Sequence, residues 1–173
     1  MFVSYIIGTY NKNGTANFAP ITWVSVTWKT DRYILVISMN GSKQTKINIS
    51  ENKMLSANLV STDMLNLMDY FGSYSGKETL KTGIPYGYSN GNVLNVPTLD
   101  TSKWVYECEV SDIFQTGDSS TYFCPVKDVQ IDNGIDISNG VDLTLFDPVI
   151  YSGRYHSIGD NLGKIGDFYK NKS

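Results

Sequence analysis

The stretch NFAPITWVSVTWKTDRYILVISMNGSKQTKINISENKMLSANL (residues 17–59) holds two β-branched and aromatic runs, ITWVSVTWK and RYILVISM, separated by the turn chemistry of K-T-D. With FVSYIIGTY before them, set off by N-K-N-G, they read as three strands in a meander. The segment NGSKQTKINISENK then breaks the β rhythm. Asn40 or Ser42 caps a helix whose first turn holds residues 43–46 and whose apolar side is carried by Ile47 and Ile49. MLSANLV resumes the alternation as a fourth strand. Thr62 or Asp63 next caps MLNLMDYFG, where Met64, Leu67, Met68 and Phe71 fall at i, i+3, i+4 and i+7, so a second helix buries one face and stops at Gly72.

Residues 73–100 are rich in Gly, Ser, Tyr, Asn and Pro, too irregular for a regular element and too aromatic for a free linker, and long ordered loops of this kind often carry function. Beyond them WVYECEV, TYFCPVKDVQI and a weaker IDISNGVDLTLF supply further strands. The helices are too few to cover a parallel sheet, so the expected fold is mainly β, an antiparallel barrel of Greek-key type with a few short helices. The 173 residues fit one domain, residues 1–173, and 41% hydrophobic content against 18% charged supplies a packed core.

Composition also excludes function classes. The formal charge of -3, with no basic block, speaks against a nucleic-acid binder or an anionic-membrane binder. No apolar run approaches the roughly 20 residues that span a bilayer, and the N-terminus lacks a signal-peptide pattern, so a cytoplasmic protein is expected. Cys108 and Cys124 lack C-x-x-C spacing and read as buried, reduced thiols, with a disulfide between neighbouring strands as the other reading. The stretch DNGIDISNGVD (residues 132–142) is dense in carboxylates but lacks the ligand order and closing Glu of a calcium loop, and reads as a polar turn. No P-loop, G-x-G-x-x-G, G-x-S-x-G or H-E-x-x-H pattern occurs.

A helix that begins just after a strand aims unpaired N–H groups and a positive dipole end at the strand's exit. Ser42, Lys43 and Thr45 add hydroxyl and ammonium donors there, a set suited to phosphate. Standing alone, Asn40 and Ser42 would be plain helix caps and Trp23 a core residue. On the neighbouring run, Pro20, Thr22 and Trp23 bring main-chain groups and an indole beside the same place, a flat apolar surface with a few fixed polar atoms.

NFAPITW (residues 17–23), SMNGSKQTKINI (residues 38–49), SANL (residues 56–59), FGSYSGKETLK (residues 71–81), TGDS (residues 116–119) and PVIYSGRYHSIG (residues 148–159), in this order and spacing, resemble the flavin reductase-like, FMN-binding split-barrel family over nearly the whole chain. The resemblance implies a split barrel that binds FMN and takes part in electron transfer, as an NAD(P)H:flavin oxidoreductase or a flavoredoxin-type carrier. It implies Asn17 and Trp23 as flavin-ring contacts with Pro20, Thr22 and Asn40 beside them, Ser42, Lys43 and Thr45 as phosphate contacts, and Lys81 as a cationic contact. Tyr155 resembles the aromatic that closes over the ring, supplied by the partner subunit of a homodimer.

One position departs from the family. Many relatives carry a histidine after the G-D pair, where nicotinamide cofactor or flavin is contacted, and this chain has Ser119 and Ser120. Direct oxidation of NADH or NADPH is therefore in question, with an electron-transfer protein partner as the other electron route. His156, the one histidine, is either its replacement in space or a structural residue. Two further readings stand beside the redox protein: a non-catalytic flavin-binding module, and a pyridoxamine-phosphate oxidase-type enzyme, which the motif order disfavours.

Overall fold

In the computed structural model, which describes residues 2–77, 83–138 and 140–160, the chain forms short strands β1 (Phe2–Val3) and β2 (Tyr5–Tyr10), then β3 (Ala16–Ile21), β4 (Val24–Lys29) and β5 (Arg32–Met39). Helix α1 (Gln44–Asn52) and β6 (Met54–Leu59) follow, then a 3-10 turn (Thr62–Met64) that runs into α2 (Leu65–Ser73). The remainder holds β7 (Tyr88–Asn90), β8 (Pro97–Leu99), β9 (Trp104–Glu109), β10 (Asp112–Thr116), β11 (Ser119–Ile131), α3 (Leu143–Phe146), β12 (Ile150–Tyr151) and β13 (Tyr155–His156).

Eight strands build one antiparallel sheet in the order β3-β2-β6-β9-β11-β5-β4, with β10 attached to β11. Its two end strands, β3 and β4, are consecutive in the chain and joined only by Thr22 and Trp23. Such a link reaches at most about 11 Å. The sheet must therefore curl until its edges nearly meet, and the ladder stays open at that seam: a split barrel, mostly β with a few short helices.

This seam corrects the expected meander. ITWVSVTWK is not one strand, because the chain leaves β3 after Ile21 and starts β4 at Val24 on the other edge. Pro20, which has no N–H to give to a ladder, sits in the edge strand that tolerates it. The expected strand in IDISNGVDLTLF is instead a polar stretch and the one-turn α3, capped by the Asp142 carboxylate, which accepts from the Thr144 amide at 2.9 Å. The stretch 73–100 contains the β7–β8 hairpin, and β10 carries no sequence alternation because its residues are exposed along their whole length.

Two apolar clusters hold the sheet. Inside the curl pack Tyr5, Ile7, Leu35, Ile37, Ile49, Leu55, Tyr122 and both free cysteines, Cys108 and Cys124. Outside it, Ile6 and Phe18 pack against Met64, Leu67, Met68 and Phe71 of the second helical segment, as the i, i+3, i+4, i+7 pattern requires. β2 is buried on both faces, hence its unbroken apolar run. Gly8 is required within it, since a Cβ there would strike the Pro97 carbonyl, the Ser56 hydroxyl and the Phe18 ring. On α1 Ile49 is buried but Ile47 is exposed, contrary to the paired expectation, because residues two apart on a helix cannot share a narrow face. Among the described residues, no helix is long and apolar enough to cross a membrane.

Glu107 is fully buried on β9 and ties down the turn that leads to β8. Its carboxylate accepts from the amides of Asn92 (2.6 Å), Val93 (3.0 Å) and Leu94 (2.7 Å) and from Gln130 Nε2 (2.7 Å). Burial alone would raise its pKa, but these donors outweigh burial and hold it below the ordinary glutamate value. A depressed carboxyl contributes stability that is complete above the unfolded-state pKa, about 4.3, and is lost as pH falls through the folded-state value. Glu107→Gln is expected to destabilise the protein by about 2 kcal/mol at pH 7, by leaving the Asn92, Val93 and Leu94 amides to compete for one carbonyl beside an NH2 group, and to flatten the acid limb of the stability profile. Denaturant titrations between pH 3 and 7 check both.

Candidate functional site

β3 lies between the two longer helices, with α1 and α2 both packed against it. The N-terminus of α1 and the C-terminal end of α2 thereby become opposite walls of a cleft of about 470 Å³ whose floor is Asn17, Ala19 and Pro20. Ser42, Lys43, Gln44 and Thr45 form one wall, and residues 71–76 the other.

The start of α1 is unusual in what it lacks. Its N-cap residue is Lys43, not the expected Asn40 or Ser42, and no side chain caps the helix. The Lys43 carbonyl accepts from the amides of Lys46 (3.1 Å) and Ile47 (3.4 Å), which leaves the earlier amides of the first turn without an intrahelical acceptor. The end of a helix that is uncapped, carries the positive end of the dipole and is flanked by ammonium groups suits an anion. Lys77 adds to the cation set by donating from Nζ to the Ser42 hydroxyl.

Thr45 is 1% exposed yet lines the cleft. Its Oγ1 accepts from Asn17 Nδ2 at 3.1 Å, and the same Nδ2 donates to Thr9 Oγ1 at 3.3 Å. Asn17 Oδ1 faces Gly76, where a Cβ would collide with it, so the loop after α2 approaches the β3 floor as closely as backbone allows.

Of the residues singled out from sequence, Asn17, Pro20, Ser42, Lys43 and Thr45 meet in this cleft. Thr22 and Trp23 lie just past it along the chain, in the seam; Trp23 is 48% exposed and its carbonyl accepts from the Ser38 amide at 2.9 Å. Asn40 is exposed and does not line the cleft. Lys81 lies outside the described residues. Tyr155 sits on β13, where its hydroxyl donates to Asp69 Oδ1 of α2 at 3.3 Å and its ring packs on Tyr151, not in this chain's cleft. Asp69 and burial together raise the pKa of that hydroxyl, burial first.

A second cleft, of about 430 Å³, opens on the other side of the same helix start, and Ser42 and Lys43 line both. It is closed by the β10–β11 hairpin through Gln115, Asp118, Ser120 and Tyr122, with the Lys46 ammonium donating to the Asp118 carbonyl at 2.6 Å. Ser120 is buried and bonded to Gln115 Oε1 at 3.2 Å, whereas Ser119 is half-buried at the head of β11. His156 belongs elsewhere: it bonds the Ser152 hydroxyl at 3.0 Å and lines a pocket that shares no residue with either cleft. Sequence reasoning missed Lys77, Gln44, Thr9 and Asn48. The first is a lysine in a polar loop, and the others show their role only once β2, β3 and α1 are adjacent.

The fold has close counterparts among solved structures. Flavoredoxin from Methanosarcina acetivorans superposes with a TM-score of 0.87 at 22% identity over 96% of this chain and 90% of that one. Flavoredoxin of Desulfovibrio vulgaris (Miyazaki F) gives 0.87 at 19% identity, over 96% and 92%. The 2-nitrobenzoate 2-nitroreductase of Pseudomonas fluorescens gives 0.83 at 18% identity, over 99% and 88%. No curated protein sequence matches the chain. The family described as flavin reductase like domain matches residues 3–159. With that match over nearly its whole length, the chain belongs to the flavin reductase-like domain family.

Proposed function

We propose that this protein binds FMN in the cleft between α1 and α2 and works as a redox protein, either reducing flavin directly or carrying electrons in the manner of a flavoredoxin. The observation that carries this reading is the uncapped start of α1, whose free amides share one wall with Ser42, Lys43 and Thr45. In a family of flavin proteins, that donor set calls for a phosphate, which FMN has and riboflavin lacks. Bound there, the flavin supplies the electron chemistry. The chain's own residues hold and orient it: amides and hydroxyls of the α1 wall for the phosphate, Lys43 and Lys77 for charge, and the Pro20 to Trp23 backbone with the indole for the ring.

The purified protein is expected to bind FMN at least tenfold more tightly than riboflavin, about 1.4 kcal/mol or more. Thr45→Ala is expected to weaken FMN by about 1.5–3 kcal/mol, the range for a bond to a charged group. Fluorescence titration with each flavin measures both, and equal affinity of the wild type for the two would remove the phosphate assignment.

The second cleft, sharing Ser42 and Lys43 with the first, is where a donor or acceptor would meet the flavin. A serine hydroxyl at position 119 can neither stack on a nicotinamide nor bring positive charge to its phosphates, which favours slow turnover with NADH or NADPH and supply of electrons by a protein partner. On this account Ser119→His raises the rate of NADH oxidation with FMN affinity unchanged. A fast wild-type rate that collapses in His156→Ala would overturn it.

A homodimer belongs to the same proposal. Val26, Trp28 and Tyr33 stand on the sheet face that carries Leu35 and Ile37 into the core, yet they are 54%, 56% and 56% exposed. An apolar core face that runs on into solvent suits burial against a second copy. Sedimentation should give a dimer at micromolar concentration, and Trp28→Glu should shift it toward monomer.

A further inference from the structure

Helix α1 and the β10–β11 hairpin face each other across the second cleft without closing on it. The helix side brings Lys43 at the N-cap and then Lys46, Ile47 and Ser50, spaced i, i+3, i+4 and i+7 and so forming one stripe of the helix surface. The hairpin side brings Ile113 and Gln115 of β10 and Ser120 and Tyr122 of β11. In the ladder Ile113 stands opposite Tyr122 and Gln115 opposite Ser120, so these four side chains share one face of the hairpin. A helix stripe laid on a sheet face ordinarily packs until little space remains. Here Ile47 and Ile113 are each left 41% exposed, and a gap of about 430 Å³ lies between the two elements.

The gap has two unlike ends. Lys46 Nζ donates to the Asp118 carbonyl at 2.6 Å, which ties the tip of the hairpin to the start of the helix. That end holds two ammonium groups, and among the described residues neither Lys43 nor Lys46 forms an ion pair. The Asp118 carboxylate is the one acidic group lining the cleft, so the end keeps a net positive charge. Farther from the tip Ile47 and Ile113 supply apolar walls, and at the floor the buried Tyr122 and Ser120 bring their hydroxyls side by side. A bare anion would leave both isoleucines in water, and a neutral apolar molecule would leave the ammonium groups without a counter-charge. A flat ring that carries one acid group answers both, and the volume is at the small end for ligand sites.

We propose that the second cleft is a binding slot for a small aromatic acid, with the ring between Ile47 and Ile113 and the carboxylate at Lys43 and Lys46. The inference names a ligand class for the cleft in which the proposed function has a donor or acceptor meet the flavin, and it rests on that reading for the ligand's redox role alone.

The test uses the full-length protein labelled at its isoleucine methyls, FMN-loaded and FMN-free, with benzoate as the probe, benzamide as its neutral counterpart and inorganic phosphate as the bare anion. Benzoate is expected to shift the Ile47 and Ile113 methyl signals with a Kd of about 1 mM or tighter, and to bind at least about fivefold more tightly than benzamide or phosphate. Ile113→Ala should weaken benzoate about five- to tenfold by removing one apolar wall, with FMN affinity within about twofold of wild type. Lys46→Gln should weaken benzoate about three- to tenfold and leave benzamide within about twofold, thermal melts showing that both variants are folded. Methyl signals that stay in place, equal binding of benzoate and benzamide, or benzoate affinity unaltered in both variants would each overturn the inference and leave the FMN reading standing. Displacement of benzoate by FMN would put the flavin itself in the second cleft and overturn both, whereas benzoate binding by a protein that fails to bind FMN would support the slot and overturn the cofactor reading alone.

Discussion

Thr22 and Trp23 join strands that lie at opposite ends of an eight-stranded sheet, and that short link constrains everything built around it. Because so few residues can span only a short gap, the sheet is forced to bring its edges together, and curling creates an interior for Ile7, Leu35, Ile37 and Leu55 to fill. The edges do not pair, so β3 keeps one side free of ladder bonds. Both α1 and α2 pack against β3, and the cleft lies between the two helices over that edge strand.

The helices are placed by burial and not by intrinsic preference. α1 is short, has no side-chain cap and exposes Ile47, so it is held by Ile49 in the core, by the amide network of Thr45 and Asn48 with β2 and β3, and by the Asn52 and Lys46 side chains on the Tyr10 and Asp118 carbonyls. A helix of this length is marginal in isolation. Its N-terminus is thus held in register by polar contacts that lie directly under the candidate site, while the amides before Lys46 have no intrahelical acceptor. Stability and binding share the same few residues here. α2 is the opposite case, an amphipathic helix fixed by Met64, Leu67, Met68 and Phe71, and its role in the cleft is to deliver the close-packed turn at Gly76.

Periodicity made α2 legible at once, and the motif spacing in residues 38–49 gave α1 and most of its wall. Strand boundaries were harder where burial on both faces or exposure on both faces erased alternation, as in β2 and β10. The break between β3 and β4 was invisible because Ile21, Trp23 and Val24 continue the β composition straight across the seam, and only the pairing partners reveal it. Site residues were legible when they sat in one local block, as Ser42, Lys43 and Thr45 do. Thr9, Asn48 and Lys77 were not, because Asn48 reaches Thr9 and Asn11 across 39 and 37 residues and Lys77 reaches back 35 residues to Ser42.

Ser42 and Lys43 border both clefts, so the two clefts share one ridge. The Lys46 ammonium, one turn along, is held by the Asp118 carbonyl in the β10–β11 turn. Whatever enters the second cleft must therefore pack against the same first helical turn that ends in the anion wall. Ser119 is half-buried at the head of β11 and does not line that cleft. Ser120 does line it, buried and bonded to Gln115. The two serines after the G-D pair are thus physically unequal, Ser119 half-buried and Ser120 enclosed in the hairpin.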